Sequence, residues 1–479
     1  MNAPQPSPEL LERLRGALGP VGFIDDPEAC ARYLVDERQL YQGASSAVLR
    51  PASTEEVSKA VTLCAEYGVC VVPQGGNTGY MGGAVPGLEG HPSLLLSLSR
   101  MNRVRTLDAS NFSMVVEAGC ILAELQSVAE DANRLLPLSL AAEGSCQIGG
   151  NLATNAGGVQ VLRYGNAKDL VLGLEVVLPD GRVWNGLRQL RKDNTGYDLK
   201  QLFLGSEGTL GIITAAALKL FPAPRATCTF IAAVQDVASA TSLLARMRDA
   251  SSDAVTSFEY IHRNCIDLVL EYIADVRDPF DEPYEHYALV ELTSGGDQGQ
   301  LQTLVEQALE SSFDNGETLD AVVASNVAQS RALWRLRETI PEAQKHAGGC
   351  IKHDVSVQVS KVAEFLSRAT PLSEQLIDNV RVVPFGHMGD GNVHFNLTQP
   401  EGADAKAFLA HTETITRAIH DLVAEMEGSF SAEHGIGRLK RDELERYRDP
   451  LDLEIMQAMK SALDPRGILN PGVITKSNR

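Results

Sequence analysis

Two histidines, His387 and His394, sit seven residues apart in the stretch PFGHMGDGNVHFNL (Pro384–Leu397) of a chain that holds only ten. Gly389-Asp390-Gly391-Asn392 between them is rich in residues that tolerate positive φ, which predicts a hairpin turn there. On that register Met388 faces Val393 and His387 faces His394. Directly opposed residues hold their Cβ atoms about 5 Å apart on one sheet face. Two imidazoles at that separation can share one metal ion. The same geometry equally serves a cross-strand pair satisfied by backbone or water.

Three glycine-rich stretches could do a different chemistry: PQGGNTGYMGG (Pro73–Gly83), GSCQIGGNLATNAGG (Gly144–Gly158) and GSEGTLG (Gly205–Gly211). Backbone N–H groups in such loops can converge on an anion because no Cβ blocks the approach. Asn77, Thr78, Asn151, Thr154 and Asn155 add uncharged side-chain donors. Three such loops in one half of a chain favour a bound diphosphate. No GxGxxG leaves a strand to open a helix with an acidic residue some 20 positions on, so a Rossmann site is not expected. No GxxxxGK[ST] loop occurs either. The residues point to a dinucleotide held by uncharged loops.

Length and composition bound the partners. The chain has 479 residues, 44% hydrophobic and 22% charged, enough for two or three domains. A formal net charge of -20 argues against nucleic acid or an anionic membrane as partner. An anionic substrate would need a local cationic cluster. The eight cysteines form no CxxC pair and lie mostly in apolar surroundings, which predicts reduced core thiols and a cytoplasmic protein. MNAPQPSPEL has neither a basic nor an apolar signal region, and no apolar run reaches membrane-spanning length, so a soluble protein is expected.

The elements that must position these residues follow from periodicity and breakers. A helix is predicted over Glu9–Leu18, ended by Gly19-Pro20, and another of about 14 residues from Thr54, closed by Gly68. VCVVPQGG reads as a strand entering the first loop, and DLVLGLEVVLPDGRVWN as a hairpin turning at Asp180-Gly181. Pro222-Ala223-Pro224 is the first boundary. Beyond it, strands such as TFIAAVQ and HYALVELT alternate with helices, predicting an α+β domain whose helices cover one face of an antiparallel sheet. Helices are also predicted over Thr303–Ser311 and Ala405–Met426. The expected division is 1–224, 225–429 and a C-terminal segment 430–479 that completes the active site.

PQGGNTGYMGG, IGGNLATNAGG and TGYDLKQLFLGSEGTLG together resemble the FAD-binding domain of the vanillyl-alcohol oxidase/para-cresol methylhydroxylase (PCMH) superfamily. FGHMGDGNVHFNL, SAEHGIG and LDPRGILNPG resemble its FAD-linked oxidase C-terminal partner. The likeness runs from about Val48 to Val473. It implies an α+β, two-domain flavoprotein: an N-terminal PCMH-type FAD-binding domain and a C-terminal cap domain with an antiparallel sheet. The first loop would hold the pyrophosphate and the other two the flavin. The implied FAD contacts are Pro73, Gly75, Gly76, Asn77, Thr78, Gly79, Gly82 and Gly83 in the first loop. Pro137 precedes the second, which supplies Gly144, Ser145, Gly149, Gly150, Asn151, Thr154, Asn155, Gly157 and Gly158. Glu207, Gly208, Gly211, Ile213 and Asn470 complete the set. Some relatives tether FAD through a His or Cys in the first loop; Pro73–Gly83 has neither, so FAD is expected to bind non-covalently.

Within that superfamily the chain is most similar to the D-2-hydroxyacid dehydrogenases, especially those acting on D-2-hydroxyglutarate. The resemblance implies a divalent metal, Zn²⁺ by preference with Mn²⁺ compatible, on His387, His394 and Glu433, a ligand set with open positions. It implies His434 as general base. Asn396, two residues beyond His394, shares its sheet face and could meet substrate. In RALWRLRETIPEAQKHAGGCIKHDVSV the likeness assigns Arg337 and Lys352 to a second substrate carboxylate. The family threonine four residues after the arginine is Pro341 here, which cannot donate a hydrogen bond. D-lactate, D-malate or another D-2-hydroxy acid is the alternative substrate, and a non-catalytic flavin-binding subunit the alternative class. Electron-transfer flavoprotein or a quinone would fit as acceptor. Relatives often form homodimers.

Overall fold

The computed structural model describes residues 4–476. The chain divides into two units. The first runs up to Gly157, resumes over Gly165–Pro222 and takes up the chain again from Glu433; the second consists of Gly158–Tyr164 and Ala223–Ala432.

In the first unit a four-stranded sheet has the order Phe23–Ile24, Val48–Leu49, Ser93–Ser97, Cys70–Gln74, with the last three parallel. Parallel neighbours need a crossover, and the helix Thr54–Tyr67 provides it. Ser53 rather than Thr54 caps that helix, its Oγ accepting the Glu56 N–H at 3.3 Å. Gly68 closes it at φ +70°. Cys70–Gln74 is an edge strand, which accommodates Pro73. That edge is covered by the chain terminus: Val71 N–H donates to the Ile468 carbonyl (2.8 Å) and Asn470 N–H to the Val71 carbonyl (2.9 Å). A five-stranded antiparallel sheet follows the order Val104–Asp108, Ser113–Glu117, Ile212–Lys219, Val171–Val177, Val183–Gly186. The Asp180-Gly181 hairpin forms as predicted, with Val177 opposite Val183. Leu14, Val57, Val61, Val71, Leu94, Val177 and Ile212 join both sheets in one apolar core.

The second unit is built on an antiparallel sheet in the order Thr318–Val323, Ala226–Val234, His286–Ser294, Val255–His262, Arg381–Gly386, Asn392–Thr398, Cys350–Ile351, with Asp354–Ser356 also pairing the Asn392–Thr398 strand. The expectation of helices on one face is corrected: both faces are covered. The helices Val237–Ser251, Gln298–Asp314, Val362–Leu376 and Thr412–Glu425 pack on one core. Arg263–Tyr272, Val327–Glu338 and Ile340–His346 pack on the other. The physical reason is visible in Ala226–Val234. Phe230, Ala232 and Val234 enter the first core while Ile231 and Ala233 enter the second, so neither face of this strand is polar. The single helix expected over Ala405–Met426 is two, Ala405–Leu409 and Thr412–Glu425.

Candidate active site

The histidine hairpin forms, but in a different register. Phe385, not His387, lies opposite His394, and Val383 lies opposite Asn396. The turn is longer than predicted: Met388–Asp390 makes one 3-10 turn, and Gly391 closes it at φ +84°. A Cβ on Gly391 would stand 2.0 Å from the Val357 carbonyl oxygen, so the turn requires glycine. His387 therefore sits beyond the paired strand rather than directly opposite His394. The rings are still brought together, with centroids 5.4 Å apart and planes at 80°. The His394 ring packs on Phe385 at 5.1 Å.

Sequence reasoning missed the residue that organises this corner. Glu259, in the strand Val255–His262, is fully buried. One carboxylate oxygen takes the His387 Nδ1 and the other accepts Arg337 Nε–H at 2.5 Å. Burial pushes this carboxyl up, but the Arg337 guanidinium and His387 outweigh it and hold it at about 2. An ionised carboxylate only accepts, so Nδ1 of His387 carries a proton, and Nε2 is the nitrogen that a neutral ring would present to a metal. A carboxylate behind a histidine is the usual support of a metal-ligating imidazole. The donor chemistry fits a divalent cation. Its only sequence signal was a lone acid inside an apolar strand.

Arg337 lies in the last turn of the helix Val327–Glu338, its guanidinium 4.6 Å from the Phe385 ring centroid. Its Nε is committed to Glu259, and neither terminal nitrogen bonds any of the described residues. Asn396 is buried, its Nδ2 donating to Gln344 Oε1 at 2.9 Å; Gln344 in turn donates to Thr398 Oγ1 at 3.2 Å. Lys352 is exposed, between Ile351 and Asp354, whose ladder partners are Leu397 and His394. Thr339 donates its hydroxyl to the Arg335 carbonyl at 2.8 Å, so it does not stand in for the hydroxyl missing at Pro341.

A directly opposed histidine pair does exist, at His262 and His286, with Glu285 beside them. It is a poorer metal centre. His262 Nδ1 accepts the Asn264 N–H at 3.1 Å as cap of the helix Arg263–Tyr272, so its Nε2 carries the proton and has no lone pair for a metal. Burial and the neighbouring His286 lower the His262 pKa to about 4.

In the first unit, a cavity is walled by all three glycine loops. Pro73, Gly75, Gly76, Asn77, Thr78, Gly79, Gly82 and Gly83 line it from the first loop. Gly149, Gly150, Asn151 and Thr154 line it from the second, and Glu207, Gly208, Gly211 and Ile213 from the third. His434 stands in the same wall, with Tyr80 edge-on at 5.1 Å. A Cβ on Gly79 or Gly150 would meet no described protein atom within 4 Å, so those glycines leave backbone open to a ligand. The buried Gln147 Oε1 and Asn151 Oδ1 have no partner among the described residues, and both residues line the cavity. Among the described residues the lining holds no lysine or arginine. This donor set, backbone amides and neutral amide side chains, fits a flavin dinucleotide.

Seven expected cofactor contacts are not in this wall: Pro137, Gly144, Ser145, Asn155, Gly157 and Asn470 do not line it, and Gly158 belongs to the second unit. Several of them shape the wall from behind. The Ser145 carbonyl lies 2.4 Å from where a Cβ on Gly76 would be. Asn155 accepts the Lys168 N–H at 3.0 Å. Asn470 Nδ2 ties the first loop to the third through the Gly83 and Glu207 carbonyls, at 2.9 and 2.8 Å. Glu207 also acts through its side chain. The carboxylate accepts the Ile436 and Gly437 N–H groups, both at 2.8 Å, anchoring the segment after His434. Burial nevertheless pushes this carboxyl up to about 7. Asp36, Gln74, Tyr80 and Cys146 line the cavity without having been singled out.

Glu433 follows Ala432, whose N–H donates to the Asp354 carbonyl at 3.2 Å, next to the Ser356–Ser429 bridge. The segment that ends at Ala432 is thus pinned to the strand that pairs with His394. None of the eight cysteines forms a disulfide, and among the described residues no helix is long and apolar enough to cross a membrane.

Comparison with known proteins fits both halves. The FAD binding domain family matches residues 45–186, and the family "FAD linked oxidases, C-terminal domain" matches residues 223–474. A relative from Oryza sativa subsp. indica, named probable D-2-hydroxyglutarate dehydrogenase, mitochondrial, is 39% identical over 460 residues, covering 95% of this chain and 80% of its own. The Rattus norvegicus protein, named D-2-hydroxyglutarate dehydrogenase, mitochondrial, is 38% identical over 94% of this chain and 82% of its own. A Stutzerimonas stutzeri D-2-hydroxyglutarate dehydrogenase is 34% identical, over 98% and 99%. Solved structures share the fold: substrate-bound p-cresol methylhydroxylase (TM-score 0.74, 18% identity, 98% of this chain and 96% of that one) and the 4-ethylphenol oxidase of Gulosibacter chungangensis (0.73, 19%, all of both chains). The mitochondrial relatives overturn the cytoplasmic expectation; reduced cysteines do not distinguish one reducing compartment from another. Matched over both domains and along nearly its whole length, the chain belongs to the FAD-linked oxidases and is an FAD-dependent oxidoreductase.

Proposed function

We propose that the chain oxidises D-2-hydroxyglutarate to 2-oxoglutarate, with electrons leaving through FAD to an acceptor such as electron-transfer flavoprotein or a quinone. The observation that carries this reading is the Glu259 corner. One buried carboxylate supports both an imidazole, held through its Nδ1, and an arginine whose terminal nitrogens bond none of the described residues. A metal-type ligand and a carboxylate clamp side by side suit a 2-hydroxy acid with a second, distal carboxylate. The names of the relatives point to the same substrate.

His387 and His394 hold the divalent cation in this reading, with Glu433 as third ligand and Zn²⁺ the preferred ion. Arg337 receives the distal carboxylate as a fork, Lys352 adds a point charge, and Asn396, fixed by Gln344, orients the substrate. His434 takes the hydroxyl proton at C2, and Glu207 holds its loop in place. Bound FAD supplies the two-electron acceptor for the hydride from C2, and a bound cation makes the coordinated hydroxyl more acidic. Pro73–Gly83, without His or Cys, binds the cofactor non-covalently.

Pro341, the second residue of the helix Ile340–His346, keeps a second reading alive, in which D-malate or D-lactate is preferred. The deciding experiment is anaerobic. The flavin-loaded protein is mixed with each of the three hydroxy acids, and flavin absorbance is followed before and after a chelator. Fastest bleaching by D-2-hydroxyglutarate, abolished by metal removal, is the expected result. Preference for D-lactate or D-malate would move the substrate, and no bleaching by any would sink the reading.

A further inference from the structure

Glu259 touches both of these functions. It stands on an inner strand of the sheet, with no exposed surface, and its two oxygens are divided between two partners from different parts of the chain. Oε1 meets Nδ1 of His387, beyond the end of the neighbouring strand; Oε2 meets Nε of Arg337, from the helix packed on that face. Phe385 fills the floor beneath Arg337 and beside His394. Arg337 can neither swing away nor turn its fork without giving up a buried ion pair.

We propose that Glu259 is a positioning residue that couples the strength of the cation site to the distal-carboxylate clamp, and so sets the preference for a dicarboxylate substrate. The inference rests on the reading of His387 as a metal ligand and Arg337 as a substrate ligand. Toward His387, the carboxylate fixes the proton on Nδ1 and makes Nε2 the better donor. Toward Arg337, it orients Nε so that the two terminal N–H groups point together at an incoming carboxylate. Because both partners draw on one negative charge, they compete for it. Whatever weakens the arginine's hold leaves more of that charge behind the histidine.

The competition gives the two partners' variants opposite signs, which a purely structural role would not. In Glu259→Gln, metal affinity is expected to fall by about 10- to 100-fold, the usual cost of removing an outer partner of a ligating histidine. KM for D-2-hydroxyglutarate should rise by at least about tenfold more than KM for D-lactate. In Arg337→Met, which leaves the carboxylate to His387 alone, Zn²⁺ should bind more tightly than in the wild type, while the D-2-hydroxyglutarate KM again rises. Glu259→Asp keeps the charge but draws it back by one methylene, and should recover one partner, not both. The double variant Glu259→Gln/Arg337→Met should match Glu259→Gln in metal affinity.

The experiment uses flavin-loaded protein stripped of metal and titrates Zn²⁺ against a chromophoric chelator, with thermal unfolding recorded for every variant. Opposite shifts in the two single variants support the proposal. Metal affinity that falls alike in both, or moves in neither, overturns it while leaving the proposed reaction standing. Should Glu259→Gln not fold, the sign of the Arg337→Met shift and the Glu259→Asp pattern decide alone. A wild type that binds no Zn²⁺ under these conditions overturns both the coupling and the metal reading beneath it.

Discussion

Gly149 and Gly150 are consecutive residues of one short helix, Ile148–Ala153, yet they should respond to the same substitution in opposite ways. A Cβ on Gly149 would stand 2.6 Å from the Ala118 Cβ and 2.9 Å from its carbonyl oxygen, the same carbonyl that accepts the Gly149 N–H at 2.8 Å. The helix and the turn at Ala118 would have to part. Overpacking of that kind costs about 1–3 kcal/mol. At about 2–4 °C per kcal/mol for a unit of this size, Gly149→Ala should lower the unfolding midpoint of flavin-free protein by roughly 2–12 °C. A Cβ on Gly150 meets no described atom within 4 Å. There alanine gains about 0.5–1 kcal/mol in a helix, so the midpoint should rise by roughly 1–4 °C. The added methyl would stand in the cavity, where the same overpacking scale predicts a roughly 5- to 150-fold higher FAD dissociation constant. Thermal unfolding of the flavin-free proteins and fluorescence titration with FAD measure both. Wild-type FAD affinity in Gly150→Ala, or midpoints that shift the same way, would refute the assignment of this wall to the cofactor.

Two predictions concern pH. Burial holds Glu207 at about 7, above its unfolded value near 4.5, so the folded state binds the extra proton between those limits. Flavin-free protein should therefore lose stability as pH rises from about 4.5 to about 7, by up to roughly 3 kcal/mol, and Glu207→Gln should remove that slope; an unchanged slope in chemical denaturation would refute it. His262, held at about 4 by burial and His286, has the opposite sense: the unfolded chain takes the proton first, so stability falls as pH drops from about 6.5 toward 4. His262→Asn keeps a good helix cap and removes the titration, so its acid limb should be flatter, and an equally steep one counts against the assignment.

What the sequence made legible was local chemistry. The glycine loops were readable because glycine marks backbone that must be approached closely, and Gly79 and Gly150 do leave that space open. The hairpin was readable from its turn residues, but its register was not. A two-residue shift preserves the inward face, so alternation alone cannot tell Phe385 from His387 as the partner of His394. Side-chain pairing across the fold was illegible. Glu259 precedes Arg337 by 78 positions and His387 by 128, and nothing in the local pattern of VTSFEYIH announces either partner. The second helical layer was missed because TFIAAVQ was weighed as a one-sided strand, although its unbroken apolar run already called for cover on both faces. Asn470 and Ser145 lie outside the cavity wall yet help to shape it. A residue that resembles a cofactor contact can serve by holding the loops that make the contact.

The charge balance of the corner leads to a last prediction, on metal removal. The chain carries a formal net charge of -20, so the dianionic substrate of the proposed reading would approach an unfavourable field. Arg337 does not offset that field by itself, because Glu259 already neutralises it across 2.5 Å. What Arg337 keeps is directional: two N–H donors held in a fork. On the proposed reading, the attraction for the second negative charge comes from Lys352 and, above all, from a cation held by the histidines. Removing the metal should then abolish more than turnover. Binding of 2-oxoglutarate, followed as a shift in flavin absorbance at about 0.05 M ionic strength, should weaken by at least about 100-fold on stripping Zn²⁺, or roughly 2.7 kcal/mol. The loss should shrink at about 0.5 M salt, where free charges are screened over a few ångströms and a directional hydrogen bond is not. If metal-free protein binds 2-oxoglutarate with nearly unchanged affinity and loses only reduction of the flavin, the cation serves the proton step alone, and the clamp must hold the dianion without it.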